Sequence, residues 1–152
     1  MEILRAHHLT LDNIRTVIAT LEPLPGAKAY FDRVRAQHPC VILSDTFYEF
    51  AALLMAKLDQ PTLFCHTLDV DQDGMIVGYR LRMPDSKRAA VLSLQQLGFR
   101  VLAVGDSYND LSMLTTADAG FLFRAPPQVI EAAPQLPVCY EYDELERALG
   151  GN

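Results

Sequence analysis

The chain has 152 residues, of which 50% are apolar and 21% charged, with a net charge of −6 and no tryptophan. That composition excludes a disordered chain, and at this length a single globular domain buries roughly 70% of the surface its unfolded chain exposes. The acidic balance, without any Lys/Arg cluster, excludes a nucleic-acid or anionic-membrane surface; no apolar run reaches the ~18 residues of a membrane span, and an odd cysteine count (Cys40, Cys65, Cys139) in apolar runs excludes a disulfide framework. A cytoplasmic protein acting on small molecules is therefore expected.

Residues 9–21 place Leu9, Leu11, Ile14, Val17, Ile18 and Leu21 at helical spacing, with Thr10 or Asp12 as cap. The breaker Glu22-Pro23-Leu24-Pro25-Gly26 ends that helix, and a second follows over 27–37, burying Ala27, Tyr30, Phe31 and Val34. Cys40-Val41-Ile42-Leu43 reads as a buried strand, 47–58 as a helix and 62–66 as the next strand. The acidic stretch from Asp69 to Gly74 forms a turn before a strand over 75–82, so a hairpin interrupts the alternation at about 67–82.

The alternation then resumes: a helix from Pro84-Asp85-Ser86 to Gly98, a strand over 100–104, a helix over 108–116, a strand over 119–123, a short helix over 126–132, a strand over 138–142 and a last helix over 143–149. Strand alternating with helix predicts an α/β fold, a three-layer Rossmann-like parallel sheet with helices on both faces and right-handed crossovers.

In such a sheet, ligands bind beyond the carboxyl ends of the strands. After the strand ending at Val104 stands Gly105-Asp106-Ser107-Tyr108-Asn109-Asp110, two carboxylates and an amide in one tight turn. These hard oxygens suit Mg²⁺, although two acids there also suit capping of the following helix. After Leu43 stands Ser44-Asp45-Thr46-Phe47, a hydroxyl followed by the backbone N–H groups of a helix N-terminus, which suits a phosphate or an ordinary N-cap. Lys87 lies in the first turn of its helix, where a cation opposes the macrodipole.

Two other patterns carry less. Asp71-Gln72-Asp73-Gly74 imitates a D-x-D-G nucleophile motif, but it follows a polar stretch rather than a buried strand and reads as a hairpin turn. As a calcium loop starting at Asp69, it has Arg80 where a bidentate Glu is required. His7, His8, His38 and His66 show no metal-type spacing and read as structural or solvated.

Taken in order, the hydroxyl cradle at Ser44, the lysine at Lys87 and the G-D-x-x-x-D turn at Gly105–Asp110 resemble the haloacid dehalogenase-like hydrolases. Together with Val41–Phe50 and Gly120–Pro126, they are similar to the phosphoserine phosphatase/homoserine phosphotransferase branch, over about Ile3 to Leu149. The resemblance implies Mg²⁺-dependent phosphoryl transfer from O-phosphoserine in serine biosynthesis, with homoserine phosphotransfer as a further possibility, through an aspartyl-phosphate. It implies that Ser44 and Lys87 act on the transferring phosphoryl group, with Asp45 and Thr46 completing the phosphate cradle. It implies further that Asp106 ligates Mg²⁺ while Asn109 and Asp110 fix the metal's water shell and Lys87.

The family's nucleophile, an Asp in a D-x-D-G-T-like motif after the first strand, has no counterpart here. The resemblance therefore implies that residues 1–22 are a remnant of a helical cap, that 23–152 form the core without its first, central strand, and that Ser44, Lys87, Asp106 and Asp110 share a cleft. The alternative is a catalytically inactive phosphate- or Mg²⁺-binding domain, a pseudo-enzyme that oligomerises or pairs with a strand-donating partner. An in-frame D-x-D-G-x segment in the DNA before Met1 separates the two.

Overall fold

The computed structural model describes His7 and residues 9–150. The expected start of a cap remnant at residues 1–6, and His8, lie outside these residues. The chain divides into two compact units, Met1–Met83 and Pro84–Asn152.

In the first unit, α1 (Leu11–Ile18) opens on a capping box in which Thr10 and Asn13 bond reciprocally, as the Thr10 spacing predicts. Its start is tied to the hairpin turn: the Leu11 N–H donates to the Gly74 carbonyl at 2.8 Å. Its end is held by the Lys57 ammonium, which donates to the Ala19 and Leu21 carbonyls at 3.2 and 2.6 Å. A cation there satisfies carbonyls the helix cannot and complements the macrodipole. Then come α2 (Ala27–Arg35), β1 (Val41–Phe47), α3 (Tyr48–Lys57), β2 (Thr62–Val70) and β3 (Ile76–Arg80). β1 pairs in parallel with β2, and β2 antiparallel with β3, giving sheet order β1-β2-β3. Ala51 and Met55 of α3 are buried, as are Cys65 and Leu68 of β2 and Ile76 of β3.

The second unit runs α4 (Ser86–Gln96), β4 (Leu102–Gly105), a 3₁₀ turn at Tyr108–Asp110, α5 (Leu111–Thr116), β5 (Ala119–Phe123), α6 (Pro127–Ala132), β6 (Val138–Cys139) and α7 (Tyr142–Gly150). Its sheet is all parallel, in the order β4-β5-β6. The core gathers Val91, Leu114, Phe121, Leu122, Val129 and Leu145, each nearly or fully buried. β5 and α5 approach so closely that a Cβ on Gly120 would stand 2.2 Å from the Leu114 carbonyl oxygen, so only glycine fits.

Two local expectations are corrected. β1 does not stop at Leu43: Ser44, Asp45 and Thr46 continue as extended backbone, and α3 starts at Tyr48 with Phe47 as N-cap. The helix over 108–116 begins instead as a 3₁₀ turn, because Ser107 and Asp110 close a capping box around it. Pairing makes two three-stranded sheets, and among the described residues β1 ends one and β4 ends the other.

Candidate functional site

The candidate residues fall in both units: Ser44, Asp45 and Thr46 in the first, Lys87, Asp106, Asn109 and Asp110 in the second. The second group is built on the end of β4. The Asp110 carboxylate folds back over Gly105, where a Cβ would stand 2.6 Å from the Asp110 Cβ, so Gly105 is what admits it. Its Oδ2 accepts from the backbone N–H groups of Asp106 and Ser107, both at 3.0 Å, and from the Ser107 hydroxyl at 2.9 Å. Its Oδ1 accepts from the Lys87 ammonium at 2.8 Å.

Both members of this pair are largely withdrawn from water, with 11% of the Lys87 and 9% of the Asp110 side chain exposed. Burial alone would raise the Asp110 pKa; Lys87, the Asp106 amide and the two Ser107 donors outweigh it and hold the carboxyl below its ordinary value. The placement of Lys87 at the start of α4, unfavourable to the macrodipole, thus has a physical reason: its charge is met by Asp110. α4 is further pinned by Asp85, a left-handed residue at φ 46° whose Oδ1 accepts from the Ser112 hydroxyl at 2.8 Å.

Asp110 spends its oxygens on the turn and on Lys87, so its part is to hold both. Asp106 and Asn109 are exposed, and their side chains make no bond to protein among the described residues. One free carboxylate and one amide oxygen at a strand end fit Mg²⁺, which keeps several waters and takes one or two protein carboxylates. No group of three or more His, Cys, Asp or Glu gathers in metal-binding geometry among the described residues, which speaks against an all-protein cage there. Ser107 was missed by the sequence reading, although S-x-x-D ahead of an apolar run is the capping-box spacing that marks it.

In the first unit, β1 and β2 pair Leu43 with Phe64 and Phe47 with His66. Ser44, Asp45 and Thr46 therefore stand opposite Cys65 alone, which is a bulge of two extra residues. The Thr46 N–H donates to the Ser44 Oγ at 3.3 Å, closing a small polar turn within the bulge. Ser44 and Thr46 are half-buried and Asp45 is exposed, its Oδ1 3.8 Å from Nε2 of the buried His66. The helix N-terminus expected directly after Ser44 is displaced to Tyr48, so the polar groups after Leu43 are those of a bulge rather than of a helix end.

Residues 2–118 match the family described as haloacid dehalogenase-like hydrolase. The chain belongs to this family. It is 50% identical to the phosphoserine phosphatase ThrH of Pseudomonas aeruginosa, over 97% of this chain and 72% of that protein. It is 49% identical to a phosphoserine phosphatase of Pseudomonas syringae pv. tomato, over 97% of this chain and 62% of that protein. Among solved structures, a phospho-aspartyl intermediate analogue of phosphoserine phosphatase superposes with a TM-score of 0.73 at 21% identity, over 88% of this chain and 66% of that one. An apo phosphoserine phosphatase superposes at 0.74 and 21% identity, over 88% and 68%. At that identity the structural likeness establishes the fold, which is the haloacid dehalogenase-like one.

No helix among the described residues is long and apolar enough to cross a membrane.

Proposed function

We propose that this haloacid dehalogenase-like chain carries the phosphate-, lysine- and metal-holding part of a Mg²⁺-dependent phosphomonoester hydrolase acting on O-phosphoserine. The observation that carries the reading is the buried Lys87–Asp110 pair on the Gly105 turn at the end of β4. A lysine held there by a carboxylate is kept charged and aimed, which is what neutralising a phosphoryl group requires. The names of the relatives support the substrate class, and a place in serine biosynthesis is part of the proposal.

In this reading Lys87 is the catalytic cation and Asp110 fixes its position. Ser44 offers its hydroxyl to phosphate oxygens, with Asp45 and Thr46, whose N–H donates to the Ser44 Oγ, shaping the bulge that presents it. Asp106 and Asn109 would hold Mg²⁺, which supplies charge neutralisation and orientation of the phosphate when bound. In this reading the described residues up to Glu22 belong to a helical cap and 23–150 to the core, with the β2–β3 hairpin inserted in it.

Covalent phosphoryl transfer also needs a nucleophile, and none of these 152 residues stands at the end of a buried strand in a D-x-D-G-T-like motif. Asp71 belongs to a turn, where its Oδ1 accepts from the Asp73 and Met75 N–H groups at 3.0 and 2.9 Å. That observation favours, for the 152-residue chain by itself, the second reading of an inactive phosphate- and Mg²⁺-binding domain. The test is phosphate release from O-phosphoserine with Mg²⁺. The 152 residues alone should turn over at or near zero, while a chain extended through an in-frame D-x-D-G-x segment should hydrolyse it and lose activity on Lys87→Ala. Hydrolysis by the 152 residues that Asp71→Ala abolishes would overturn the assignment of Asp71 to the turn.

A further inference from the structure

His66 is 7% exposed, one of two buried polar or charged residues in the described chain, and the proposed chemistry does not use it. It sits on β2 directly opposite Phe47, where the β1–β2 ladder closes again after the Ser44–Thr46 bulge. The backbone N–H of Arg82 donates to its Nδ1 at 3.1 Å. A nitrogen that accepts an N–H offers its lone pair, so the ring hydrogen is on Nε2. That hydrogen is on the nitrogen nearest the Asp45 carboxylate, with Nε2 3.8 Å from Oδ1. The distance is a charge–dipole contact rather than a full hydrogen bond. Phe47 packs on the ring with centroids 6.1 Å apart, limiting its rotation.

A bulge with two extra residues needs something to fix it, because its own ladder bonds are missing there. We propose that His66 is a positioning residue: through Nε2–H it faces and orients Asp45, and through Asp45 it holds the Ser44–Thr46 bulge in the geometry that presents the Ser44 hydroxyl. The second half of this statement rests on the phosphate-binding reading above; the first half does not. Arg82 sets the orientation from the other side of the ring. Its guanidinium is itself fixed by the Cys65 carbonyl at 3.3 Å and the Tyr48 hydroxyl at 2.5 Å.

Two amide substitutions separate the two faces of the ring. In His66→Asn the side-chain oxygen falls near the Nδ1 position and can still accept the Arg82 N–H, but the shorter amide offers no donor at the Nε2 position facing Asp45. In His66→Gln the amide nitrogen falls near Nε2 and restores a donor to Asp45. A purely structural role through Arg82 predicts that Asn is the better replacement; the positioning role predicts Gln.

The experiment uses the 152-residue chain and NMR. The ring ¹⁵N shifts of His66 should report the Nε2–H tautomer and should move on Asp45→Asn, an exposed substitution that leaves the core untouched. Exchange of the Thr46 amide should rise about 10-fold or more in His66→Asn and stay within about 3-fold of the parent in His66→Gln. Inorganic phosphate should shift the Ser44–Thr46 amides in the parent and bind about 10-fold more weakly to His66→Asn than to His66→Gln. An Nδ1–H tautomer, or Thr46 exchange equal in the two variants, overturns the positioning role. Phosphate that leaves those amides unmoved in the parent overturns the phosphate reading of the bulge, while the tautomer and exchange data still decide whether His66 positions it.

Discussion

Cutting the Lys87–Asp110 pair from both sides should cost less than the two single cuts added together. Asp110 is 6% exposed and accepts from four donors, of which Lys87 is the only charged one. Lys87→Met leaves a buried carboxylate with neutral partners only, and removing one member of a buried pair costs about 3–5 kcal/mol. Some water reaches both groups, so the lower end, about 3 kcal/mol, is expected. Asp110→Asn keeps the shape and an acceptor for the turn but strands the ammonium, at about 2–3 kcal/mol. The double substitution leaves no stranded charge, so the losses should fall short of additivity by about 2 kcal/mol.

The pH dependence has a defined sign. The Asp110 carboxyl is held below the ordinary 3.8, so its contribution is fully present above about pH 4 and is lost as the pH falls below 3.8 through the folded-state value. Lys87→Met removes the largest of the lowering causes, so stability between pH 4 and 2 should fall less steeply in the variant. Hydrogen exchange of the β4 and β5 amides, in urea and across that pH range, reads the second unit by itself. Single losses below about 1 kcal/mol that simply add would refute the reasoning, because they would mean the pair is solvated and its members independent.

Gly105→Ala should displace the Asp110 side chain, since its Cβ would stand 2.6 Å from that of Asp110, and should cost about 1–3 kcal/mol with the turn amides of Asp106 and Ser107 losing exchange protection. Gly120→Ala meets a backbone oxygen at 2.2 Å instead of a side chain, so it should be the more damaging by thermal melting. Asp71→Ala removes the acceptor of two turn amides and should cost about 1 kcal/mol without changing phosphate binding by titration. Burial pushes the Cys65 thiol up to about 11, so at pH 8 it should resist a thiol-specific disulfide reagent until the first unit is unfolded.

The order of strands and helices was legible because each apolar run is short, bounded by breakers and tied to local chemistry: Thr10 caps α1, and the turn closed by Asp71 joins β2 to β3. Ser44-Asp45-Thr46 reads from the sequence as a helix start, because Ser and Thr after an apolar run suit an N-cap, whereas here they extend as a bulge whose pairing resumes at Phe47. Nothing local in the sequence announces that, since the bulge depends on a partner strand some twenty positions away. Lys87 and Asp110 each stand out by position, while the bond between them, a tertiary fact, is implied by the family resemblance and not by any spacing. His66 reads from the sequence only as structural or solvated, because a histidine inside an apolar strand carries no periodic or spacing signal; the Arg82 amide on its Nδ1 is what reveals how its proton is placed.

The way strands pair has its own consequence for the 152 residues in solution. Among the described residues β4 pairs with β5 on one side only, and its sequence, Leu102-Ala103-Val104-Gly105, carries no charge and no proline. Natural sheets blunt an exposed edge with lysine, proline or a bulge, because a row of unpaired N–H and C=O groups recruits other strands. β1 carries its bulge only past Leu43, so Val41-Ile42-Leu43 is a second unguarded apolar edge. The isolated chain should therefore self-associate reversibly, with a sedimentation coefficient that rises between about 5 and 200 μM, the range in which exposed hydrophobic edges cause association. Val104 is 36% exposed, so Val104→Lys places a charge on the β4 edge at little cost to the core and should shift that rise to higher concentration. A parent chain that sediments as a monomer throughout, with the amides of 41–43 and 102–104 as protected as those of β5, would show that both edges are already covered within the molecule.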